Sequence, residues 1–288
     1  MKALLFSLIL FLFYFDFSEP KPLPLNPFDE ITVCHDFGPG MEQFSDDPEF
    51  IKLHPAPDRI NYSAMGEMIN FDTPDGKKAS GYFIPASNPD SDKWLFVYQE
   101  WWGLNDQIKE QADIFYNDLN SKVNVLALDM YDGKVTSDPQ EAGQFMRSAN
   151  EARLQSIVLG AQQFAGSEAM IANVGWCFGG GWSLKSALLT GSQNIGSVMY
   201  YGMPVQDVEM LKTLNSDVLG LFATEEYISK EIIENFAQNM EKAGKDLEYK
   251  IFDAAHGFAN PSNPRHDPEA TSEAYEMAIG YLRDKFGE

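Results

Sequence analysis

Eight short runs of apolar and β-branched residues recur along the chain, and from the third onward they alternate with stretches of helical periodicity. Strands are predicted at residues 67–72, 79–85, 94–99, 123–129, 170–176, 195–201, 217–223 and 247–252. Two leading strands followed by strand–helix repeats are typical of an α/β protein. We therefore predict a mostly parallel, eight-stranded sheet flanked by helices.

Helices are indicated by apolar residues three or four positions apart and by the residues that begin and end them. Two apolar faces are formed by Ile108, Ala112, Phe115 and Leu119 and by Ile232, Phe236 and Met240. The second face ends at Gly244, a residue typical of a helix C-terminus. Asp138-Pro139 and Asp267-Pro268 each pair a capping residue with a first-turn proline and so predict two further helix starts. The last helix is expected to bury Ala274, Ala278 and Tyr281.

The first residues have a different pattern, because Lys2 precedes an apolar run over residues 3–15 that only Ser7 interrupts. This layout is typical of a secretory signal, and the run is short for a membrane span. No clean cleavage site follows, so an uncleaved anchor is the alternative. We predict a signal peptide or anchor over 1–19, a linker and irregular segment over 20–62, and one α/β domain over 63–288. The protein is expected to be secreted or periplasmic.

The chain carries a formal net charge of -22, with 43 acidic and 21 basic residues. Phosphates are neutralised by Lys and Arg, so this balance argues against nucleic acid or an anionic membrane surface as a partner, and no membrane partner is expected beyond the possible anchor. Gly179-Gly180-Gly181 lacks the Lys-Ser/Thr pair of a phosphate-binding loop. His35, His54 and His266 are too scattered to indicate a metal site. No cofactor or metal is expected.

The segment Gly175-Trp176-Cys177-Phe178-Gly179 lies between a predicted strand and a predicted helix. A strand that turns sharply into a helix at G-x-nucleophile-x-G exposes the central side chain at the edge of a parallel sheet. Gly175 and Gly179 provide the clearance, and the helix N-terminus favours a thiolate and a developing oxyanion. The motif therefore predicts Cys177 as a nucleophile and the Phe178 N–H as an oxyanion-hole donor. The alternative is a buried structural cysteine in an ordinary strand–helix turn.

An acid and a histidine follow this nucleophile in the order that the architecture requires. Glu225 and Glu226 come after the predicted strand 217–223, and His256 comes after the strand 247–252. We expect His256 to accept the Cys177 proton while a carboxylate fixes its tautomer. Both glutamates are candidates, and Glu226 is slightly favoured.

Glu100 ends an apolar predicted strand and lies beside Trp101 and Trp102. Burial there disfavours its charge, which suits a proton acceptor or a partner of Cys177. The alternative is a carboxylate that caps the helix beginning near Asn105 or Asp106. The aromatic residues near these motifs either line an apolar acyl pocket or belong to the core, and they are Trp101, Trp102, Trp176, Phe178 and Trp182.

Export would place the two cysteines in an oxidising compartment, so a disulfide between Cys34 and Cys177 is an alternative to nucleophilic chemistry. A cysteine held on a strand–helix turn is poorly placed to pair with a distant terminal segment. We therefore expect Cys177 to be free.

Several separate motifs in the same order resemble the dienelactone hydrolase family of the α/β-hydrolases, from about Ile69 to Leu282. The matching stretches are Gln99-Glu100-Trp101-Trp102-Gly103-Leu104-Asn105-Asp106, Leu128-Asp129-Met130-Tyr131, Gly175 to Gly180, Tyr200-Tyr201-Gly202 and Ala255-His256-Gly257-Phe258-Ala259-Asn260. The resemblance implies an α/β-hydrolase fold and a Cys, acid and His triad. It further implies that Glu100 contacts the resting thiol and helps to deprotonate it, and that the Trp101 amide is the second oxyanion donor.

Two positions depart from the family pattern. The family's triad acid is normally aspartate, whereas the loop here offers Glu225 and Glu226. Members that cleave dienelactone place an arginine four residues after the catalytic histidine to hold a carboxylate, and this chain has Asn260 there. Dienelactone itself is therefore not the expected substrate, and Asn260, Trp102 and Trp176 are the candidate substrate-binding residues.

The sequence thus predicts a hydrolase that cleaves a small ester or lactone through a covalent acyl-enzyme on Cys177. A catalytically silent small-molecule binding protein on the same fold is the alternative, suggested by the altered acid loop and the missing arginine. Redox chemistry by Cys34 and Cys177 is a weaker third hypothesis, because the chain has no C-x-x-C pair.

Overall fold

Eight strands form a single sheet in the computed structural model, which describes residues 36–288. They are β1 (Glu67–Asp72), β2 (Lys78–Ile84), β3 (Lys93–Tyr98), β4 (Asn124–Leu128), β5 (Met170–Trp176), β6 (Asn194–Tyr200), β7 (Val218–Ala223) and β8 (Leu247–Phe252). Their spatial order is β1-β2-β4-β3-β5-β6-β7-β8. β1–β2 and β2–β4 pair antiparallel, and the other five pairs are parallel. The predicted sheet is confirmed, and every strand boundary lies within one residue of its predicted position.

The central strands are buried on both faces. Every residue of β4 and β7 is buried, and only the first residue of β3 and of β5 is partly exposed. Parallel strands covered by helices on both sides require such continuous apolar runs. The two edge strands, β1 and β8, are mostly exposed or half-buried.

Helices connect the strands and cover the sheet. They are α1 (Pro48–Lys52), α2 (Asp106–Asp118), α3 (Pro139–Ser148), α4 (Glu151–Ala165), α5 (Phe178–Thr190), α6 (Val208–Leu211), α7 (Lys230–Ala243) and α8 (Pro268–Phe286). Short 3-10 helices lie at Met41–Phe44 and Gly191–Gln193.

The predicted helix boundaries correspond to specific caps. The Asp138 and Asp267 carboxylates accept backbone N–H groups at the starts of α3 and α8. Gly244 ends α7 in the left-handed conformation at φ 69°. Two details differ from the predicted apolar faces. In α7 the buried isoleucine is Ile233 and not Ile232, and in α8 Tyr281 is only half-buried.

The segment 36–62 was expected to be irregular, but it contains the 3-10 helix Met41–Phe44 and helix α1. The carboxylate of Asp47 caps α1, followed by Pro48 at its first position. Phe50 on this helix is fully buried and packs edge-to-face on the rings of Trp101 and Tyr227, with centroids 5.7 and 5.1 Å away. The segment is therefore packed against the body of the protein near the loops that follow the strands.

Several sequence-based expectations concern residues outside the described part of the chain. These are the signal peptide or anchor over 1–19, the part of the predicted segment 20–62 that falls on residues 20–35, and Cys34 with its possible disulfide. Within residues 36–288, no helix combines the length and apolar character that crossing a membrane requires.

Candidate active site

The carboxyl ends of neighbouring parallel strands bring the candidate residues together. Glu100 follows β3, Cys177 follows β5, Tyr201 follows β6, Glu225 follows β7 and His256 follows β8. These strands are adjacent in the sheet in that order. In open α/β sheets this edge is where active sites form.

Cys177 lies on a strained turn between β5 and α5. Its backbone has φ 56° and ψ -120°, a conformation that is costly for a residue with a side chain. Its N–H donates to the Tyr200 carbonyl at 3.0 Å, which ties the turn to β6. A Cβ on Gly175 would lie 2.1 Å from the Gly179 carbonyl oxygen, and one on Gly179 would lie 2.4 Å from that of Gln99. Both glycines are therefore required by the close approach of strand and helix.

His256 is held by a carboxylate, and that carboxylate belongs to Glu225. The distance from His256 Nδ1 to Glu225 Oε1 is 2.7 Å, and the Glu225 side chain is 8% exposed. Glu226 is exposed, so the slight preference for Glu226 is wrong. Thr224 donates its N–H to the Ala254 carbonyl and its hydroxyl to the Phe252 carbonyl. These two bonds fix the loop against the end of β8 and direct residue 225 inward.

His256 and Cys177 lie side by side. The Cys177 Sγ and a ring nitrogen of His256 are within 4.8 Å of each other, and the His256 Nδ1 is bonded to Glu225. Burial alone would lower the pKa of His256, but the charges of Glu225 and Cys177 outweigh it and raise the pKa to about 10. The imidazole is therefore suited to hold a proton next to the sulfur.

Cys177 is a free thiol that is 2% exposed, but its surroundings are not purely apolar. Burial and the charge of the nearby Cys177 raise the pKa of the Tyr131 hydroxyl, which is itself buried without a partner among the described residues. Unpaired buried polar groups are rare in proteins, and each calls for a structural or functional explanation.

Glu100 is buried beside this group. Burial raises its pKa to about 7, although a hydrogen bond from Asn260 and the charge of His256 oppose the shift. The Asn260 Nδ2 donates to Glu100 Oε2 at 2.8 Å. Asn105, and not Glu100, caps α2, so the capping alternative for Glu100 is wrong.

The side chain of Asn260 is occupied within the protein. Besides donating to Glu100, its Oδ1 accepts from the N–H and hydroxyl of Ser262. With Glu100 and Trp176 it lines a cavity of about 150 Å³. This cavity adjoins the buried carboxylate.

The two other tryptophans have different surroundings. Trp101 is fully buried between the rings of Phe50 and His54, and Trp102 packs edge-to-face on Trp101 with centroids 5.0 Å apart. Their side chains contribute to the aromatic packing beneath the segment 36–62. Trp176 is thus the tryptophan among the candidates that lines the cavity beside Glu100.

The two predicted oxyanion donors follow adjacent strands. Phe178 is the first residue of α5, where backbone N–H groups lack intrahelical partners. Trp101 follows β3, the neighbour of β5. Within residues 36–288, neither amide donates a hydrogen bond to another backbone group.

One residue of the site was missed by the sequence analysis. His54, expected to be too scattered for a site, follows α1 and places a ring nitrogen within 4.8 Å of both the Cys177 Sγ and a ring nitrogen of His256. The Asp47-Pro48 pair signals the start of α1, by the same rule that identified α3 and α8. No local pattern, however, indicates that residue 54 lies beside the Cys177 sulfur.

The sheet order, the strained strand–helix turn and the residues at the strand ends define an α/β-hydrolase fold. The sequence model of the dienelactone hydrolase family matches residues 80–286. The chain therefore belongs to the dienelactone hydrolase family, and it is a hydrolase of the ester- or lactone-cleaving kind.

Known relatives and solved structures agree with this assignment. A protein of Aquifex aeolicus named as a candidate carboxymethylenebutenolidase is 24% identical, over 76% of this chain and 98% of its own. One of Saccharolobus solfataricus with the same name is 26% identical, again over 76% and 98%. The crystal structure of a dienelactone hydrolase-like promiscuous phosphotriesterase from metagenomic libraries has the same fold. Its TM-score is 0.64 at 20% identity, covering 76% of this chain and 98% of that one.

Proposed function

We propose that the protein cleaves a small ester or lactone through a covalent thioester on Cys177. The observation that carries this proposal is the placement of a strained, free cysteine next to a histidine whose other nitrogen is held by the Glu225 carboxylate. A nucleophile, a base and a group that orients the base are the minimal set for nucleophilic catalysis.

In the first half of the reaction, the Cys177 sulfur attacks the carbonyl carbon and the carbonyl oxygen gains the negative charge. The Phe178 and Trp101 amides stabilise this oxyanion. As the tetrahedral intermediate collapses, the C–O bond breaks and His256 gives its proton to the leaving alkoxide. An alcohol leaves, or the opened end of a lactone remains attached, and the acyl group stays on Cys177.

In the second half, His256 takes a proton from water, and the hydroxide attacks the thioester carbon. The C–S bond breaks, the carboxylic acid product is released, and the Cys177 thiolate is restored beside protonated His256. Glu225 orients the imidazole and stabilises its charge in both halves. Glu100, with a pKa near neutrality, is placed to exchange a proton with this group.

The cavity beside Glu100 supports an uncharged substrate. Its lining contains three carboxylates, those of Asp58, Glu100 and Glu110, and no Lys or Arg. An anionic substrate such as dienelactone would meet repulsion there without a compensating cation. We therefore propose a neutral ester or lactone whose apolar part contacts Trp176.

A panel of activated neutral esters and lactones tests the proposal, with wild-type protein compared with Cys177→Ala and the matched control Cys34→Ala. We expect turnover in wild type and Cys34→Ala and none in Cys177→Ala. Intact-protein mass spectrometry should detect an acyl adduct on the wild-type protein and none on Cys177→Ala.

Other outcomes would support the other hypotheses. Activity that depends on both cysteines would favour redox chemistry. Saturable binding of the same compounds with no turnover would favour a silent binding protein. The altered acid loop was one reason to consider a silent binding protein. The contact of Glu225 with His256 weakens that reason, because the loop supplies an acid in the expected position.

A further inference from the structure

His54 has no part in the proposed reaction, yet it is buried against its centre. It is 6% exposed, and its ring centroid lies 4.7 Å from that of His256 and 4.7 Å from that of Trp101. Its Nε2 is buried without a partner among the described residues. A buried, unpaired imidazole nitrogen beside a thiol calls for a physical reason.

Three soft or borderline donor atoms converge at this point. The Cys177 Sγ and one ring nitrogen each from His54 and His256 all lie within 4.8 Å of one another. In both histidines the Nδ1 is bonded to an oxygen. His54 Nδ1 lies 2.7 Å from the Phe50 carbonyl oxygen, and His256 Nδ1 lies 2.7 Å from Glu225 Oε1. The Nε2 atoms of both rings are therefore the ones left to face Cys177.

This arrangement is the one that metal-ligating histidines have in proteins. Their second nitrogen is held by a carbonyl or a carboxylate, which fixes the tautomer and the ring orientation. We propose that His54, Cys177 and His256 form a binding site for a zinc ion, with the fourth position open to water. Two imidazoles and one thiolate are a common donor set for Zn²⁺.

The geometry and the charge of the site fit this ion. Zinc bonds of about 2.3 Å to sulfur and about 2.0 Å to nitrogen place tetrahedral ligand atoms about 3.5 Å apart. The observed spread of up to 4.8 Å closes with side-chain movements of about 1 Å. The Cys177 thiolate and the Glu225 carboxylate offset the charge of the cation. Binding of the ion displaces the proton that His256 holds, as metal binding does at protonated ligands.

A zinc ion at this site occupies the sulfur that the proposed reaction needs, so zinc would inhibit hydrolysis reversibly. That consequence rests on the proposed function, whereas zinc binding itself does not. The segment 36–62 supplies His54 and thereby gives this chain a ligand that the Cys177–His256 pair alone lacks.

Equilibrium dialysis of the full chain against chelator-buffered Zn²⁺ tests the site. We expect one zinc per chain in wild type, none in Cys177→Ala, and an affinity at least about 100-fold lower in His54→Phe. His54→Phe keeps a ring in the packing against Trp101, and circular dichroism and thermal unfolding verify that it folds. His266→Ala is the matched control and should bind zinc as wild type does.

Two further measurements separate the explanations. Substitution with Co²⁺ should give a thiolate-to-metal absorption band that Cys177→Ala abolishes. Ester hydrolysis should be measured on the same samples with and without zinc. Relative to the zinc-free rate of each sample, zinc should lower the rate in wild type and His266→Ala but not in His54→Phe. Unchanged zinc affinity in His54→Phe would overturn the proposal.

The two proposals can fail separately. If zinc binds as expected but no ester is cleaved by any sample, the zinc site stands and the hydrolytic function fails. If esters are cleaved but zinc neither binds nor inhibits, the hydrolytic function stands and the zinc site is refuted.

Discussion

Replacing Glu225 with glutamine removes the charge that holds His256 while keeping an oxygen that accepts its Nδ1–H. In the folded protein the pKa of His256 is raised from its ordinary 6.5 to about 10. That difference corresponds to about 5 kcal/mol in favour of the protonated imidazole. The charge of Glu225 is the largest single contribution that raises this pKa. Loss of a charge-assisted hydrogen bond of this kind should cost about 2 to 3 kcal/mol. We expect kcat/KM of Glu225→Gln to fall by about 30- to 150-fold.

Glu226→Gln is the matched control, because the neighbouring carboxylate is exposed and makes no contact with His256. Initial rates with one activated ester, measured from pH 5 to 10, should leave this variant within about twofold of wild type. Equal losses in the two variants, or no loss in Glu225→Gln, would refute the assignment of Glu225 as the orienting acid.

The same pair changes stability with a defined sign. Because the pKa of His256 is higher in the folded than in the unfolded chain, its contribution to the free energy of unfolding is complete below about pH 6.5. It disappears as the pH rises through about 10. Urea unfolding should therefore separate wild type from Glu225→Gln at pH 6 more than at pH 10. A difference that grows with pH would contradict this reasoning.

Four further predictions concern Glu100, Asn260, Gly179 and the N-terminal segment. Burial raises the pKa of Glu100 from 4.5 to about 7, so the free energy of unfolding should fall by up to about 3 kcal/mol as the pH rises between these values. Glu100→Gln should remove this loss of stability, which urea unfolding at about pH 5 and about pH 8 would measure. Asn260→Ala should move any rate inflection near pH 7 to higher pH, since the Asn260 hydrogen bond lowers the pKa of Glu100. Gly179→Ala should destabilise the protein by at least about 2 kcal/mol or prevent folding, because its Cβ would lie 2.4 Å from two backbone oxygens. Gly280 on α8 faces open space, so Gly280→Ala is the control and should be neutral or stabilising in thermal unfolding. Export is also proposed, and deletion of residues 1–19 should retain the protein in the cytoplasm of a bacterial expression host, as fractionation would show.

The strands and the Cys177 turn were predictable because their signals are local. A strand buried on both faces must be apolar along its length, as β4 and β7 are. The turn requires glycine at positions 175 and 179 because backbone atoms occupy the space of a Cβ. Such requirements restrict the residue type at positions of fixed spacing, and this restriction can be recognised in the sequence.

The choice between Glu225 and Glu226 depends on contacts that are distant in the sequence. Thr224 bonds to the end of β8, and this decides which of two adjacent glutamates points inward. His54 is a similar case. Its position over Cys177 depends on the packing of Phe50 against Trp101 and Tyr227, and no periodicity around residue 54 encodes it.

His256 follows β8, which pairs with β7 on one side and, within residues 36–288, has no strand on the other. Cys177 follows β5, which has a partner on both sides. The outermost strand of a sheet opens at lower free energy than its centre, so the imidazole is attached to the least protected part of the scaffold. Moderate heat or denaturant should therefore separate His256 from Cys177 while the middle of the sheet is still intact, and loss of the proposed ester hydrolysis should precede the loss of circular dichroism.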